Sequence, residues 1–88
     1  MPATDKPIRL SGHALQQLAY RGATEAEVVE VIRTGTRGKA EGGRQDSRKD
    51  FVFETTWNGK HYKTRQVRPV FAEEASEIVV VTVYVYYF

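Results

Sequence analysis

The sequence of 88 residues has no cysteine, only two histidines and only three prolines. The absence of cysteine excludes a disulfide framework and a thiolate metal site. A structural zinc site would need carboxylates at unusual spacing beside the two histidines. We therefore predict no metal and no other cofactor.

Long apolar runs are also missing. The longest, residues 78–88, is shorter than a bilayer span and is interrupted by Thr82 and by tyrosines. The first six residues lack the apolar core of a signal peptide. These two features predict a cytoplasmic protein that does not associate with membranes.

Net charge is small, but the charged residues are unevenly distributed. The formal net charge is +2, yet residues 31–68 hold ten Lys or Arg against four Asp or Glu. The glutamates instead cluster at residues 25–30 and 73–77. A basic middle favours a phosphate-rich partner such as RNA, and a solvated basic loop explains the same pattern equally well.

Two short helices are predicted in the first half of the chain. Ser11 is a suitable N-cap for the first, and Gly22 is a suitable C-terminal stop. Thr24 and Glu27 form the pattern of a capping box for the second, which is expected to end at Gly35. Apolar stripes predict the core-facing residues of both helices: Ala14, Leu15, Leu18, Ala19, Val28, Val29 and Ile32.

The remaining chain predicts strands and one long loop. Residues 1–10 are expected to be a flexible lead-in or a short strand. Residues 36–50, with three glycines and no large apolar side chain, predict a flexible loop. Asn58-Gly59 predicts a type I′ hairpin turn. With a two-residue turn, the expected pairs are Trp57 with Lys60, Thr55 with Tyr62, and Phe53 with Thr64.

The last apolar segment, residues 78–88, predicts a strand in the middle of a sheet or at a homodimer seam, because an open edge of this kind would aggregate. Its valines are expected to pack under the helices (Val79, Val81, Val83 and Val85), and Thr82, Tyr84 and Tyr86 to point to the other face. The predicted fold is α+β. A helical hairpin covers one face of a three- to four-stranded antiparallel sheet, in one domain over residues 11–88.

Two segments resemble the DUF4258 family, a group of small bacterial domains of unknown function. The first, residues 11–28, has a His13-Ala14 pair, an Arg-Gly turn and a Thr-capped acidic helix. The second is the strand Val-Val-Val-Thr-Val-Tyr at residues 79–84. The family often has Arg where this chain has Gln17. It looks like a relative of the RelE/ParE toxin fold, so the resemblance implies a RelE-like fold, RNA cleavage or a toxin–antitoxin setting.

Metal-independent RNA cleavage needs a base near the 2′-hydroxyl, an acid for the leaving oxygen and cations on the phosphate. His13 is the candidate base, because the positive end of a helix dipole favours neutral imidazole. Arg21 lies about two turns further on, where it binds phosphate or instead fixes the Arg-Gly turn. Tyr84 is the third candidate catalytic residue, and interface packing is its alternative role.

A second group of residues predicts nucleic-acid binding. Alternation places three basic side chains on one face of a strand: His61, Lys63 and Arg65. Arg68 follows just beyond this row, and Thr82 is expected on the adjacent strand. Such a row is suited to a phosphate backbone, although a polar outer sheet face is the commoner case.

These features predict a metal-independent endoribonuclease of toxin type. The alternatives are a non-catalytic module that binds RNA, an antitoxin or another protein, and a dimerisation domain built on the last strand.

Overall fold

A computed structural model of the chain describes residues 6–88, which form two helices and a five-stranded sheet. The elements in chain order are β1 (Ile8–Leu10), α1 (Gly12–Arg21), α2 (Glu25–Thr34), β2 (Thr36–Lys39), a 3₁₀ turn (Glu41–Gly43), β3 (Gln45–Trp57), β4 (Lys60–Glu73) and β5 (Ile78–Tyr87). The strand order is β1-β5-β4-β3-β2, and β1 runs parallel to β5 whereas all other pairs are antiparallel. The predicted antiparallel sheet of three to four strands is therefore wrong, since the sheet is mixed and has five strands.

The missing strands come from two segments with weak strand character. Residues 36–50 form β2, the 3₁₀ turn and the first part of β3, not a flexible loop. Their strand pairing is compatible with polar side chains because β2 is an edge strand, and Gly38 lies opposite Asp46 in the register. β1 has three residues, and it corresponds to the short lead-in strand expected near residue 10. Residues 1–5 of that predicted lead-in lie outside the described part of the chain.

Both helices begin and end as their caps predict. The Ser11 side chain accepts a hydrogen bond from the backbone N–H of Ala14 at 3.1 Å. Thr24 and Glu27 form a complete capping box. Gly22 follows α1 with φ of 78°, the left-handed conformation that glycine adopts without strain.

The core lies between the helices and one face of the sheet. Its members come from every layer: Leu10, Ala14, Ala23, Val28, Val31, Ile32, Val67, Phe71, Ile78, Val80 and Val83. Of the predicted helical stripes, Leu15 and Ala19 are exposed at the surface, and Val31 is buried although it was not predicted. The stripe was displaced because α1 packs beside the edge of β5 and buries only Ala14 completely.

A β-bulge in β5 changes which valines face the helices. Val70 pairs with Thr82 and Phe71 pairs with Val80, so Val81 is an extra residue in β5. Ile78 and Val80 are consequently buried before the bulge, and Val83 after it. The prediction that all four odd-numbered valines share the helix side is wrong for Val79 and Val81, whereas β5 is an inner strand as predicted.

The β3–β4 hairpin turns at Asn58-Gly59 as predicted, and Trp57 pairs with Lys60 and Thr55 with Tyr62. The third expected pair is wrong, because a register shift between Val52 and Thr55 brings Thr64 opposite Val52.

Candidate functional site

Helix α1 lies along the part of β5 that β1 leaves unpaired. β1 pairs only with Ile78–Val80. Beyond that point α1 supplies the contacts: the Ser11 hydroxyl donates to the Val81 carbonyl at 3.4 Å, and the Tyr87 hydroxyl donates to the Arg21 carbonyl. The part of β5 that has no strand on this side is therefore covered by a helix, and one side of α1 borders the sheet face opposite the core.

Gln17 makes the central contact between α1 and β5. Its Oε1 accepts hydrogen bonds from the Val83 backbone N–H at 2.8 Å and from the Thr82 hydroxyl at 2.7 Å. Because a backbone N–H can only donate, the amide oxygen must face the strand, and the NH2 group is turned away from it. Gln17 thus satisfies an edge N–H with its oxygen and keeps its own donors for another group.

A groove runs along this side of α1. Its volume is about 390 Å³, and it is lined by His13, Gln16, Gln17, Tyr20 and Arg21. His13, Gln17 and Arg21 follow one another at four-residue intervals, which places them on one side of the helix. His13 is exposed in the first turn, and Arg21 is half-buried in the last.

Tyr84 lies between two guanidinium groups. Arg21 is 5.6 Å and Arg68 is 5.5 Å from the centroid of the Tyr84 ring, within the range of cation–π contacts. Arg21 comes from α1 and Arg68 from β4, where it pairs directly with Tyr84. Two positive charges and one phenol hydroxyl therefore meet at the place where α1, β4 and β5 come together.

Asp46 of β3 holds Arg68 in this position. The carboxylate oxygen Oδ2 accepts from Arg68 Nε at 2.7 Å and also lies 2.7 Å from Nη2. The hydrogen bond to Asp46 raises the pKa of Arg68, against the opposite effect of partial burial. Arg68 is consequently a permanent cation on the open face of the sheet.

A cleft of about 470 Å³ lies beside these residues on the open face. Arg68, Val70, Thr82 and Tyr84 line it from the sheet side, together with Val81. The end of β2 and the segment that follows it also line the cleft and add the charged residues Lys39, Glu41 and Arg44. The cleft is thus polar and mainly cationic, with a small apolar floor.

The other predicted cations lie elsewhere. Arg65 donates to the Gly22 carbonyl and forms an ion pair with Glu27, so it packs under the helices and does not share an exposed face with His61 and Lys63. Of the row expected on this strand, Arg65 is therefore partly buried, and only His61 and Lys63 are exposed. His61 and Lys63 are exposed near the hairpin turn, with His61 Nε2 at 3.9 Å from Glu54.

Five of the residues singled out in the sequence line a surface made of two neighbouring pockets: His13, Arg21, Arg68, Thr82 and Tyr84. The two pockets are linked by the contact of Arg21 with Tyr84 and by the hydrogen bond between Thr82 and Gln17. Sequence reasoning missed Gln17 and Asp46 at this surface. Gln17 lies one turn after His13 on the same helical side, which was an available signal. Nothing in the sequence around Asp46 distinguishes it from a solvated acid. The roles of the five predicted residues in catalysis and RNA binding stay predictions.

No helix within residues 6–88 has the length and apolar character that crossing a bilayer requires. In the same residues, no group of three or more histidine, aspartate or glutamate side chains is arranged to hold a metal ion.

Comparison with known proteins identifies the family but no characterised relative. No curated protein and no solved structure matches the chain. The model of a family described as a domain of unknown function, DUF4258, matches residues 10–85, from β1 to the end region of β5. This match includes α1, Arg68 and Tyr84, and thus every element of the surface described above. The chain therefore belongs to the DUF4258 family.

Proposed function

We propose that this protein is a metal-independent endoribonuclease of toxin type, with its site in the groove beside α1. The observation that carries the proposal is the position of Tyr84 between Arg21 and Arg68. Two guanidinium groups beside a tyrosine, one of them anchored by Asp46, suit a phosphodiester, because both can neutralise charge on its non-bridging oxygens. The resemblance to RelE/ParE toxins supports the same substrate, and a cytoplasmic location would give access to RNA.

The spacing of α1 indicates where the phosphate would bind. His13 and Arg21 are eight residues apart, or about 12 Å along the helix axis. Gln17 lies midway and turns its NH2 group away from β5. A phosphate over Gln17 and Thr82 would therefore lie between the base candidate and the two arginines.

The reaction follows from these positions. His13 takes the proton of the ribose 2′-hydroxyl, whose oxygen attacks the adjacent phosphorus. The bond from phosphorus to the 5′-oxygen breaks, and the Tyr84 hydroxyl donates a proton to that leaving oxygen. Arg21 and Arg68 stabilise the charge on the phosphate during the exchange. The products are a 2′,3′-cyclic phosphate and a 5′-hydroxyl end, and a proton that passes through solvent from the His13 imidazolium to the Tyr84 phenolate restores both groups.

The test is cleavage of a mixed-sequence RNA in EDTA by the wild type, His13→Ala and Tyr84→Phe. His61→Ala is the matched control, because it removes the other exposed histidine, which lines neither the groove beside α1 nor the cleft on the open face. We expect both site variants to lose activity by about 10²- to 10⁴-fold, and the control to keep it. The cleaved ends should carry a cyclic phosphate.

Two results would contradict the proposal. Equal loss in His13→Ala and His61→Ala would exclude a special role for α1. A folded wild type that binds RNA without cutting it would refute the catalytic part, and the protein would then be the RNA- or antitoxin-binding module that is its alternative function.

A further inference from the structure

Asp46 is a buried acid whose second oxygen has no partner. The residue is 4% exposed, and Oδ2 binds Arg68, whereas Oδ1 has no hydrogen-bond partner among residues 6–88. A buried carboxylate oxygen without a donor destabilises a fold. Stability of the sheet alone therefore does not account for a carboxylate at this position.

The backbone around Asp46 leaves room for its carboxylate. Gly38 of β2 lies directly opposite, and a Cβ atom added there would be 2.7 Å from Asp46 Oδ1. The φ angle of Gly38 is not in the left-handed region, so its backbone does not need glycine. The absence of a side chain at residue 38 is thus a matter of space for Asp46.

The carboxylate also orients Arg68. Nε and Nη2 lie on one side of a planar guanidinium, and both contact Asp46 Oδ2. Nη1 is then on the opposite side, away from Asp46. With the plane fixed, the guanidinium is held at 5.5 Å from the Tyr84 ring. A lone arginine on an open sheet face would sample many rotamers.

We propose that Asp46 is a positioning residue, which fixes Arg68 against Tyr84 so that Nη1 faces the RNA phosphate, and that Gly38 provides the space it needs. The inference rests on the proposed function, because it assigns Arg68 to that site. Asp46 acts through Arg68 and does not itself contact the substrate.

Two variants perturb this arrangement in different ways. Asp46→Asn removes the negative charge at nearly constant volume. Gly38→Ala keeps the charge and adds a methyl group where Oδ1 needs space. Asp50→Asn is the matched control, because Asp50 is an exposed acid on the same strand that accepts from Gln66 at 2.9 Å. If Asp46 acts by positioning Arg68, Asp46→Asn and Gly38→Ala should share one catalytic defect. If only its charge matters, Asp46→Asn and Asp50→Asn should share that defect instead.

The experiment measures kcat and KM for RNA cleavage in EDTA, RNA affinity over a salt series, and the Arg68 Nε–H signal in ¹⁵N-labelled protein. We expect Asp46→Asn and Gly38→Ala to lower kcat by up to about 10²-fold, as small misplacements do. Asp46→Asn and Asp50→Asn should both bind RNA more tightly at low salt, since each removes a negative charge. Only Asp50→Asn should retain the wild-type kcat.

The outcomes separate this inference from the proposed function. If the wild type cleaves RNA and both Asp46→Asn and Gly38→Ala keep its kcat, Asp46 is not a positioning residue. If the folded wild type does not cleave RNA, the proposed function fails, and the Arg68 Nε–H signal decides the inference. A signal that shifts in both variants supports an Asp46-fixed guanidinium, and an unchanged signal overturns it.

Discussion

Replacement of Arg65 by methionine tests whether this residue stabilises the fold or binds RNA. The sequence places Arg65 in a cationic row, but its side chain is 11% exposed and lies under the helices. It donates to the Gly22 carbonyl and to the Glu27 carboxylate, and it lies 5.6 Å from the Phe51 ring. Methionine keeps the apolar stem and removes both hydrogen bonds, so the loss isolates the polar contacts.

The expected loss is large for a single polar residue. Removal of one partner from a buried ion pair costs about 3–5 kcal/mol. The Glu27 side chain is 23% exposed and regains some water, so the lower end, about 3 kcal/mol, is expected. For a domain of 88 residues this corresponds to a fall in Tm of roughly 12–24 °C.

The assay is urea unfolding of the wild type, Arg65→Met, Glu27→Gln and the double variant. Glu27→Gln keeps an oxygen for the capping box, so the cycle isolates the ion pair. A fall of less than about 1 kcal/mol for Arg65→Met would show an ion pair no stronger than an exposed one. Wild-type RNA affinity in the folded Arg65→Met variant would confirm that its role is structural, and a selective loss of RNA affinity would refute that conclusion.

Two further predictions concern stability. Gly22→Ala should destabilise the fold by more than about 1 kcal/mol, because the backbone has a φ of 78° there and the new Cβ would lie 2.5 Å from the Tyr87 hydroxyl. Gly12→Ala is the control, because a Cβ at residue 12 meets no neighbouring atom within 4 Å. Equal unfolding free energies for the two variants would contradict this prediction. The hydrogen bond from Lys6 is the largest cause that lowers the pKa of Glu73. Glu73 therefore stabilises the fold above its ordinary pKa, and this contribution disappears as the pH falls through the lowered pKa. Glu73→Gln should flatten the acid side of a plot of unfolding free energy against pH, and an unchanged slope would count against the linkage.

Local signals in the sequence predicted the local structure. The caps at Ser11 and Thr24 and the turn at Asn58-Gly59 depend on neighbouring residues only, and all three are present. β2 was missed because its strand pairing is made by backbone groups that any side chain permits. The bulge at Val81 was missed because the pattern of alternating residues continues through it unchanged.

The same distinction explains how much of the site was predictable. His13 and Arg21 were identified from helix position, and Tyr84 from strand alternation. The meeting of Arg21 and Arg68 at Tyr84 depends on the order of β4 and β5 and on the packing of α1 beside β5. Asp46 is 22 residues away from Arg68 in sequence. The sequence alone gives no reason to pair Asp46 with Arg68 rather than with a basic residue closer to it in the chain.

The position of β5 between β1 and β4 has a consequence for the order of folding. β5 contacts β1, β4 and α1, and all three precede it in the chain. At about 5–20 residues per second, these elements are synthesised before the strand that joins them exists. Core packing against Val80 and Val83 and the arginine contacts of Tyr84 then arise in the same step. Under the proposed function, a nascent chain is inert toward the messenger that encodes it until its last strand has been translated.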